Sequence, residues 1–498
     1  MLYVRLISRK GPIFRISKLN YPEIAEIEKC AGELVKCGLL ENEDIDELDL
    51  ISVFTKKEIY SVAKAHLGNT IKSNDPRDLL VLKSLENQNV VADLIKMDHF
   101  LWTSYICENE FFHLLFFGNL EQSLSDFILE DIGVLKYEPY EIRTEDRLFK
   151  TRVVADRLYD LIGYQYELWE AREMEDTSLV LSILKAVNQL SLTKAHLKTK
   201  RAKLNLRGAE YLEKMGEHKK AIKYYKLSLV PPASERMVRT LFKMEDYKQA
   251  LRTCEGIEKS PLNYSEVEFA TKFKQKILKE LDRPFEKIEI FQCPISEIKI
   301  AKNPQKKIEQ LALDYFSKKK VKGIYSENYL WLSLFGLCFW DIIFKPMDQV
   351  FFHPFQRGPK DLFWPEFHLR RGSEIKKRID SVRSRESWKE ELLQTYREKK
   401  WTANYLVSWK KVGLTELKLV LSKVKSSQFA AIFEAMAFDL RDAKSGFPDL
   451  FLYDPKLKQY KLCEVKGPGD TLRPGQKRWI RFFQTNQIPF ELLKVTYL

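Results

Sequence analysis

Near its C-terminal end the chain reads GFPDLFLY at residues 446–453 and, after a polar turn, YKLCEVK at residues 460–466. Both segments are rich in aromatic and apolar residues, and the turn between them is short, so the pattern predicts a β-hairpin. If Tyr453 pairs with Tyr460 across the turn, the antiparallel register of the whole hairpin is set.

This register brings three charged side chains together. Asp449 lies opposite Glu464, with β-carbons roughly 5 Å apart, and Lys466 projects from the same face as Glu464. Two carboxylates at this separation repel each other unless a cation holds both, and oxygen ligands select a hard ion such as Mg²⁺ or Mn²⁺. The Lys466 ammonium group can act on a metal-bound water and stabilise charge that develops on a phosphate. These are the parts needed to hydrolyse a phosphodiester.

The composition favours an anionic partner. The chain has 498 residues, a formal net charge of +13 and a pI of about 9.1, and Lys and Arg gain affinity for nucleic acid by releasing counterions from phosphates. Neither a long apolar run nor an apolar leader is present, so no membrane span and no secretory signal are expected. The seven scattered cysteines contain no Cys-x-x-Cys pair, which is typical of a reducing, intracellular compartment.

The chain up to about residue 300 has helical periodicity and contains an internal repeat. Residues 212–221 resemble residues 241–250, with Met and Ala at matching positions. A small residue where two helices cross, repeated at a fixed spacing, is typical of tetratricopeptide-like helix pairs. We therefore predict a curved helical scaffold in the middle of the chain.

Basic segments outside the hairpin are candidates for DNA contacts, although a solvated turn or helix face is the alternative interpretation of each. One is SRKGPIFR at residues 8–15, another is the basic run within residues 367–400, and a third follows the hairpin. The candidate DNA-binding residues are Arg9, Lys10, Arg15, Lys18, Arg370, Arg371, Lys377, Arg378, Arg473 and Lys477.

Several motifs resemble the VRR-NUC branch of the PD-(D/E)xK nucleases, and in particular the Fanconi-associated nucleases. The motifs of the nuclease branch are GFPDL at 446–450, EVKGPGD at 464–470 and the pair Gln476 and Trp479. The motifs shared with the Fanconi-associated nucleases are KGIYSE at 322–327, GLCFWDIIF at 336–344, SRKGPIFR at 8–15 and LLFFGNL at 114–120. Together these motifs are spread over nearly the whole chain.

The resemblance implies a structure-selective DNA nuclease with 5′-flap endonuclease and 5′-to-3′ exonuclease activity, used in interstrand-crosslink repair. Two Mg²⁺ or Mn²⁺ ions would be held by three carboxylates and one backbone carbonyl, those of Glu327, Asp449, Glu464 and Val465. Lys466 would be catalytic, and Gln476 would support the site. Glu327 gains its meaning only from the resemblance.

The resemblance also implies a multidomain, mostly α architecture. Residues 1–150 would form a helical DNA-binding domain of winged-helix or SAP-like type, residues 151–300 a tetratricopeptide-like bridge, and residues 301–498 an α/β VRR-NUC nuclease domain with a helical insertion. The partner would be branched or flapped DNA, on which a homodimer is allowed. The location would be the bacterial cytoplasm or nucleoid, or the nucleus in a eukaryote.

Two features of eukaryotic members do not transfer to this sequence. The ligands of their ubiquitin-binding zinc finger are missing, so we expect a bacterial-type member that does not bind ubiquitin. Their basic pocket for a 5′-phosphate has no clear arginine match around residues 265–276, which leaves 5′-phosphate anchoring open.

Two other functions are compatible with the same residues. One is a DNA-junction-binding adaptor with a vestigial nuclease domain, against which the complete set of Glu327, Asp449, Glu464 and Lys466 argues. The other is a Holliday-junction resolvase, which would use the same chemistry on a different DNA shape.

Overall fold

The computed structural model describes residues 1–9, 11, 13–42, 46–122, 130, 133, 135–228, 230–286 and 293–498. The chain is mostly helical, as predicted. It divides into two compact units, residues 1–131 and residues 132–498. Lys10, one of the candidate DNA contacts, lies outside the described residues.

The first unit combines helices with a small antiparallel sheet. Its helices are α1 (Leu2–Ile7), α2 (Ile27–Lys36), α3 (Glu47–Ser52), α4 (Lys56–Leu67), α5 (Arg77–Leu85), α6 (Gln88–Lys96) and α7 (Ile106–Phe117). Its strands are β1 (Ile13–Arg15), β2 (Leu40–Glu41) and β3 (Phe100–Thr103), in the order β1-β3-β2. Strands this short contain too few residues for an alternating pattern to reveal them in the sequence.

Arg15 does not face solvent, so the prediction that it contacts DNA is wrong. Its side chain is only 6% exposed, and its guanidinium group forms ion pairs of 2.9 Å with both Glu58 and Asp98. A buried arginine with two carboxylate partners stabilises the unit and has no free face for a phosphate. Arg9 is exposed, and so is Lys18, whose ammonium group lies 3.5 Å from Glu58.

The second unit begins with antiparallel helix pairs. They are α8 (Arg152–Glu173), α9 (Thr177–Gln189), α10 (Ala195–Lys214), α11 (His218–Leu227), α12 (Ala233–Lys243), α13 (Tyr247–Lys259) and α14 (Tyr264–Glu280). The repeat falls on the pairs α10–α11 and α12–α13, where Ala221 and Ala250 are fully buried. The helix pairs predicted from the repeat are therefore confirmed, since each buried alanine lies on the second helix of a packed pair.

A five-stranded mixed sheet carries the C-terminal part of this unit. Its strands are β4 (Ile295–Ile300), β5 (Lys322–Tyr325), β6 (Leu450–Asp454), β7 (Gln459–Lys466) and β8 (Phe490–Tyr497), in the order β4-β8-β7-β6-β5. Strands β5, β6 and β7 are antiparallel, whereas β7, β8 and β4 are parallel. Tyr453 pairs with Tyr460, which confirms the predicted hairpin register.

Helices cover both faces of the sheet and fill the segment between β5 and β6. They are α15 (Ile308–Lys318), α16 (Glu327–Cys338), α17 (Trp340–Ile343), α18 (Pro365–Ser384), α19 (Trp388–Glu398), α20 (Leu414–Lys423), α21 (Ser426–Phe438), α22 (Leu440–Ala443) and α23 (Pro474–Thr485). The side chains of α15 pack with one face of the sheet, and those of α23 pack with the other. No helix in the described part of the chain has both the length and the apolarity needed to cross a membrane.

Arg371 is also buried, so its assignment as a DNA contact is wrong. It is 0% exposed, and its guanidinium group lies 2.9 Å from the Asp361 carboxylate. Arg370 is exposed and Arg378 is partly exposed, and both are likewise held by carboxylates of the same unit. Lys377 is also exposed on α18. Much of the run therefore stabilises the helical insertion.

Candidate active site

The pairing of β5 with β6 carries Glu327 to Asp449. Tyr325, the last residue of β5, is opposite Leu450 at the start of β6. The backbone carbonyl of Asp449 accepts hydrogen bonds from the N–H groups of Ser326 at 2.8 Å and Glu327 at 3.0 Å. Glu327 adopts a left-handed backbone with φ of 35°, which is strained for a residue other than glycine. These contacts fix the backbone of Glu327 beside Asp449.

The carboxylates of Asp449 and Glu464 are held on the hairpin as the register predicts. Asp449 Oδ2 accepts a hydrogen bond from the backbone N–H of Val465 at 2.9 Å. Glu464 is 1% exposed, and its Oε1 lies 3.0 Å from Lys466 Nζ. The hairpin therefore presents two largely buried carboxylates with an ammonium group beside them.

Gln476 connects the two charged groups of the site. It lies in the first turn of α23, where its Nε2 donates a hydrogen bond to Glu464 Oε1 and its Oε1 accepts one from Lys466 Nζ at 3.1 Å. The close approach of this helix start depends on Gly446, because a β-carbon there would come within 2.8 Å of the Gly475 backbone. The supporting role expected for Gln476 thus has a direct structural basis.

Burial and mutual repulsion raise the pKa of both hairpin carboxyls. The pKa of Asp449 rises to about 6, mainly because the group is buried, and the negative charges of Glu309 and Glu327 add to this. The pKa of Glu464 rises to about 8 because of burial first and Asp449 second, although Lys466 opposes the shift. The site therefore holds more carboxylate charge than one ammonium group balances, and it would be stabilised by a divalent cation.

The residues present fit a hard divalent ion in chemistry, since the donors are carboxylates and a backbone carbonyl. The described residues contain no group of three or more carboxylate, imidazole or thiol side chains already arranged around one point. The raised pKa values of Asp449 and Glu464 give the electrostatic reason for a cation to bind beside these two carboxyl groups.

Sequence reasoning missed two side chains that belong to this environment. Glu309, in the first turn of α15, raises the pKa values of Asp449 and Glu464; alone it is a usual acidic residue at a helix start. Tyr325 donates a hydrogen bond to Glu327 Oε2 at 3.0 Å. Burial, followed by the charge of Glu327, raises the pKa of Tyr325, so the phenol stays protonated and remains a donor.

A basic cleft of about 460 Å³ opens beside Lys466. It is lined by Lys477 of α23, Lys494 of β8 and the loop of residues 467–472. Lys494 is the parallel partner of Lys466 in the sheet, so both side chains leave the same face. Sequence reasoning named Lys477 and the exposed Arg473 but missed Lys494, because the pairing of β7 with β8 is not visible in the chain.

Comparisons with known proteins agree over the whole chain. The family described as "VRR-NUC domain" matches residues 383–497, and the family described as "FAN1, HTH domain" matches residues 1–41. The Fanconi-associated nuclease 1 homolog of Pseudomonas aeruginosa is 26% identical to this chain, with 100% of this chain and 88% of that protein covered. The chain is therefore similar over its full length to the Fanconi-associated nucleases. The homolog of Arabidopsis thaliana is 27% identical, and this chain spans 62% of its length.

Solved structures show the same similarity. The crystal structure of paFAN1 bound to 2nt 5′-flap DNA with a gap has a TM-score of 0.85 and 25% identity, and the match covers 100% of this chain and 91% of that chain. The VRR-NUC match contains Asp449, Glu464, Lys466 and Gln476, whereas Glu327 lies before it. The PD-(D/E)xK nucleases, which the chain resembles, use divalent metal ions.

Proposed function

We propose that the protein is a structure-selective, divalent-metal-dependent DNA nuclease. It would cut 5′ flaps, degrade DNA from 5′ ends and act in interstrand-crosslink repair. The observation that carries the proposal is the convergence of Asp449, Glu464 and Lys466 on one hairpin, with the backbone of Glu327 bound to Asp449. The 5′-flap DNA bound to the structural relatives supports the choice of substrate.

In the proposed reaction, Mg²⁺ or Mn²⁺, as two ions, would be held by Glu327, Asp449, Glu464 and the Val465 carbonyl. When bound, the metal supplies Lewis acidity and a more acidic water. The Lys466 ammonium group, 3.1 Å from Gln476 Oε1, would lie against the phosphate and stabilise the negative charge that develops on its oxygens. Gln476 would keep that ammonium group and Glu464 in a fixed relation during the reaction.

We propose that each of the three expected domains has its own function. Residues 1–150 would bind DNA, residues 151–300 would bridge, and residues 301–498 would catalyse. A homodimer on DNA remains compatible with this scheme, and ubiquitin is not expected as a partner. The enzyme would act on chromosomal DNA, in the nucleoid of a bacterium or the nucleus of a eukaryote.

The proposal is tested by cleavage of three labelled DNA substrates of equal length: a 5′ flap, a four-way junction and a plain duplex. With Mg²⁺ or Mn²⁺ we expect rapid cleavage of the flap near its junction. With a chelator in place of the metal we expect no product. Tight binding without product at any metal concentration would favour the junction adaptor. Preferred cleavage of the four-way junction would favour the resolvase.

The basic cleft gives a prediction about DNA affinity. Replacing Lys477 and Lys494 together with alanine should weaken flap binding and reduce the slope of log affinity against log salt by about 2, because each lysine that neutralises a phosphate contributes about one unit. The measurement is fluorescence anisotropy with labelled flap DNA in a chelator, at several salt concentrations. This result would indicate that the cleft binds the DNA phosphates next to the cleavage site.

The matched control replaces Lys456, an exposed lysine in the turn of the same hairpin, with alanine. This variant loses one positive charge at the end of β7 that lies away from the cleft, so its salt slope should equal that of the unmodified protein. An unchanged slope in the Lys477 and Lys494 double variant would show that the cleft does not contact the DNA backbone.

A further inference from the structure

We infer that Tyr325 is a positioning residue that holds the Glu327 carboxylate in readiness for the metal. This inference rests on the proposed metal-dependent function and adds a determinant of metal affinity to it. Tyr325 ends β5 and Glu327 begins α16. The hydroxyl of Tyr325 donates to Glu327 Oε2 at 3.0 Å across this strand-to-helix turn.

Backbone hydrogen bonds in this turn fix the main chain of Glu327 but do not orient its side chain. The neighbouring Ser326 does not cap the helix, since its hydroxyl donates to the Pro448 carbonyl at 3.1 Å. The N–H groups of Ser326 and Glu327 are both bound to the Asp449 carbonyl. A glutamate side chain on this fixed backbone still has several rotamers to lose when it binds an ion.

The Tyr325 hydroxyl reduces the conformational entropy that the Glu327 side chain loses when it binds an ion. A donor on Oε2 restricts the carboxylate to rotamers that keep the hydrogen bond, and it leaves Oε1 available as a metal ligand. Hydrogen bonds from groups behind the ligands orient them and tune the metal, and removal of such a partner typically costs tenfold or more in metal affinity. Tyr325 has the position and the chemistry of such a partner for Glu327.

Tyr329 offers a matched comparison within the same turn. Its ring lies 6.0 Å from that of Tyr325, centroid to centroid, in an edge arrangement. Its hydroxyl donates to the backbone carbonyl of Tyr325 instead of a carboxylate, and Lys411 Nζ lies 4.6 Å from its ring centre. Replacement of either tyrosine by phenylalanine removes one partly buried hydroxyl, but only Tyr325 touches Glu327 through that hydroxyl.

The test measures Mn²⁺ binding directly, by the loss of the electron paramagnetic resonance signal of free Mn²⁺, in the full chain without DNA. We expect Tyr325→Phe to raise the Mn²⁺ dissociation constant about 10-fold and to raise the Mn²⁺ concentration for half-maximal flap cleavage in parallel. Cleavage at saturating Mn²⁺ should stay close to that of the unmodified protein. Tyr329→Phe should leave Mn²⁺ binding unchanged.

A double-mutant cycle separates positioning from general packing. In a Glu327→Ala background, Tyr325→Phe should cause no further loss of Mn²⁺ affinity, because the hydroxyl then has no carboxylate to hold. Equal weakening by Tyr325→Phe and Tyr329→Phe, or full Mn²⁺ affinity in Tyr325→Phe, would overturn the inference while flap cleavage by the unmodified protein still supported the proposed function. An unmodified protein that neither bound Mn²⁺ nor cut DNA would overturn both.

Discussion

Replacement of Lys466 by methionine should slow flap cleavage about 1,000-fold, the size of effect seen when a donor to a developing oxyanion is removed. Methionine has a similar length but no charge. The Lys466 ammonium group lies 3.0 Å from Glu464 and 3.1 Å from Gln476, so its position is defined before DNA arrives. Charge that is fixed in advance stabilises the transition state without reorganisation during the reaction.

The measurement is single-turnover cleavage of a 5′ flap at saturating enzyme and metal, with flap affinity determined separately in a chelator. The affinity for flap DNA should change little, because Lys466 is one of many basic residues and the loss of one phosphate contact reduces the salt slope by only about one unit. Lys456→Met, on the exposed turn of the same hairpin, is the matched control and should cleave at the unmodified rate. If Lys466→Met cleaved as fast as this control, the assignment of Lys466 would be wrong.

The hairpin was predictable because its information is local. Asp449, Glu464 and Lys466 lie on two strands joined by a short turn, so the pairing of Tyr453 with Tyr460 follows from alternation and turn position. The helix pairs around Ala221 and Ala250 were predictable for the same reason, since a repeat in sequence becomes a repeat in structure.

Long-range pairing was not predictable in this way. Glu327 reaches Asp449 because β5 pairs with β6 across the helical insertion, and only the family resemblance indicated this residue. Glu309 and Lys494 come to the site through α15 and the β7–β8 pairing, and neither contact has a signature in the sequence. Such residues look like solvated charges until the sheet order is known.

The two wrong predictions, Arg15 and Arg371, have a related cause. Each lies in a basic segment, and a run of positive charge usually marks a solvated surface. The carboxylates that pair with them, Asp98 and Asp361, come from other parts of the chain. A buried arginine needs such a partner, and the sequence does not reveal which arginine has one.

Replacement of Glu464 by glutamine should abolish cleavage and, without metal, stabilise the folded protein at neutral to alkaline pH. Cleavage should fall by about 1,000-fold or more, because a bound metal ion supplies several kcal/mol of transition-state stabilisation. The free energy of unfolding should instead rise in the glutamine variant. The reason is that burial raises the pKa of Glu464 to about 8 from an ordinary value of 4.5. Between these values the folded state keeps a proton that the unfolded state releases, so stability falls as pH rises through this window.

A neutral amide at position 464 removes that pH-dependent loss, while Asp449 remains to balance the charge of Lys466. In a chelator, the glutamine variant should therefore melt at a higher temperature than the unmodified protein at pH 8, and the gap should close toward pH 5. Added Mn²⁺ should reverse the order at pH 8, because a ligand that binds the folded state stabilises only a protein with an intact site. Glu297→Gln makes the same chemical change at an exposed strand position. This control should melt at the same temperature as the unmodified protein, both with a chelator and with Mn²⁺. A Glu464→Gln variant that melted lower than the unmodified protein at pH 8 in a chelator would contradict the buried charge assigned to this carboxylate.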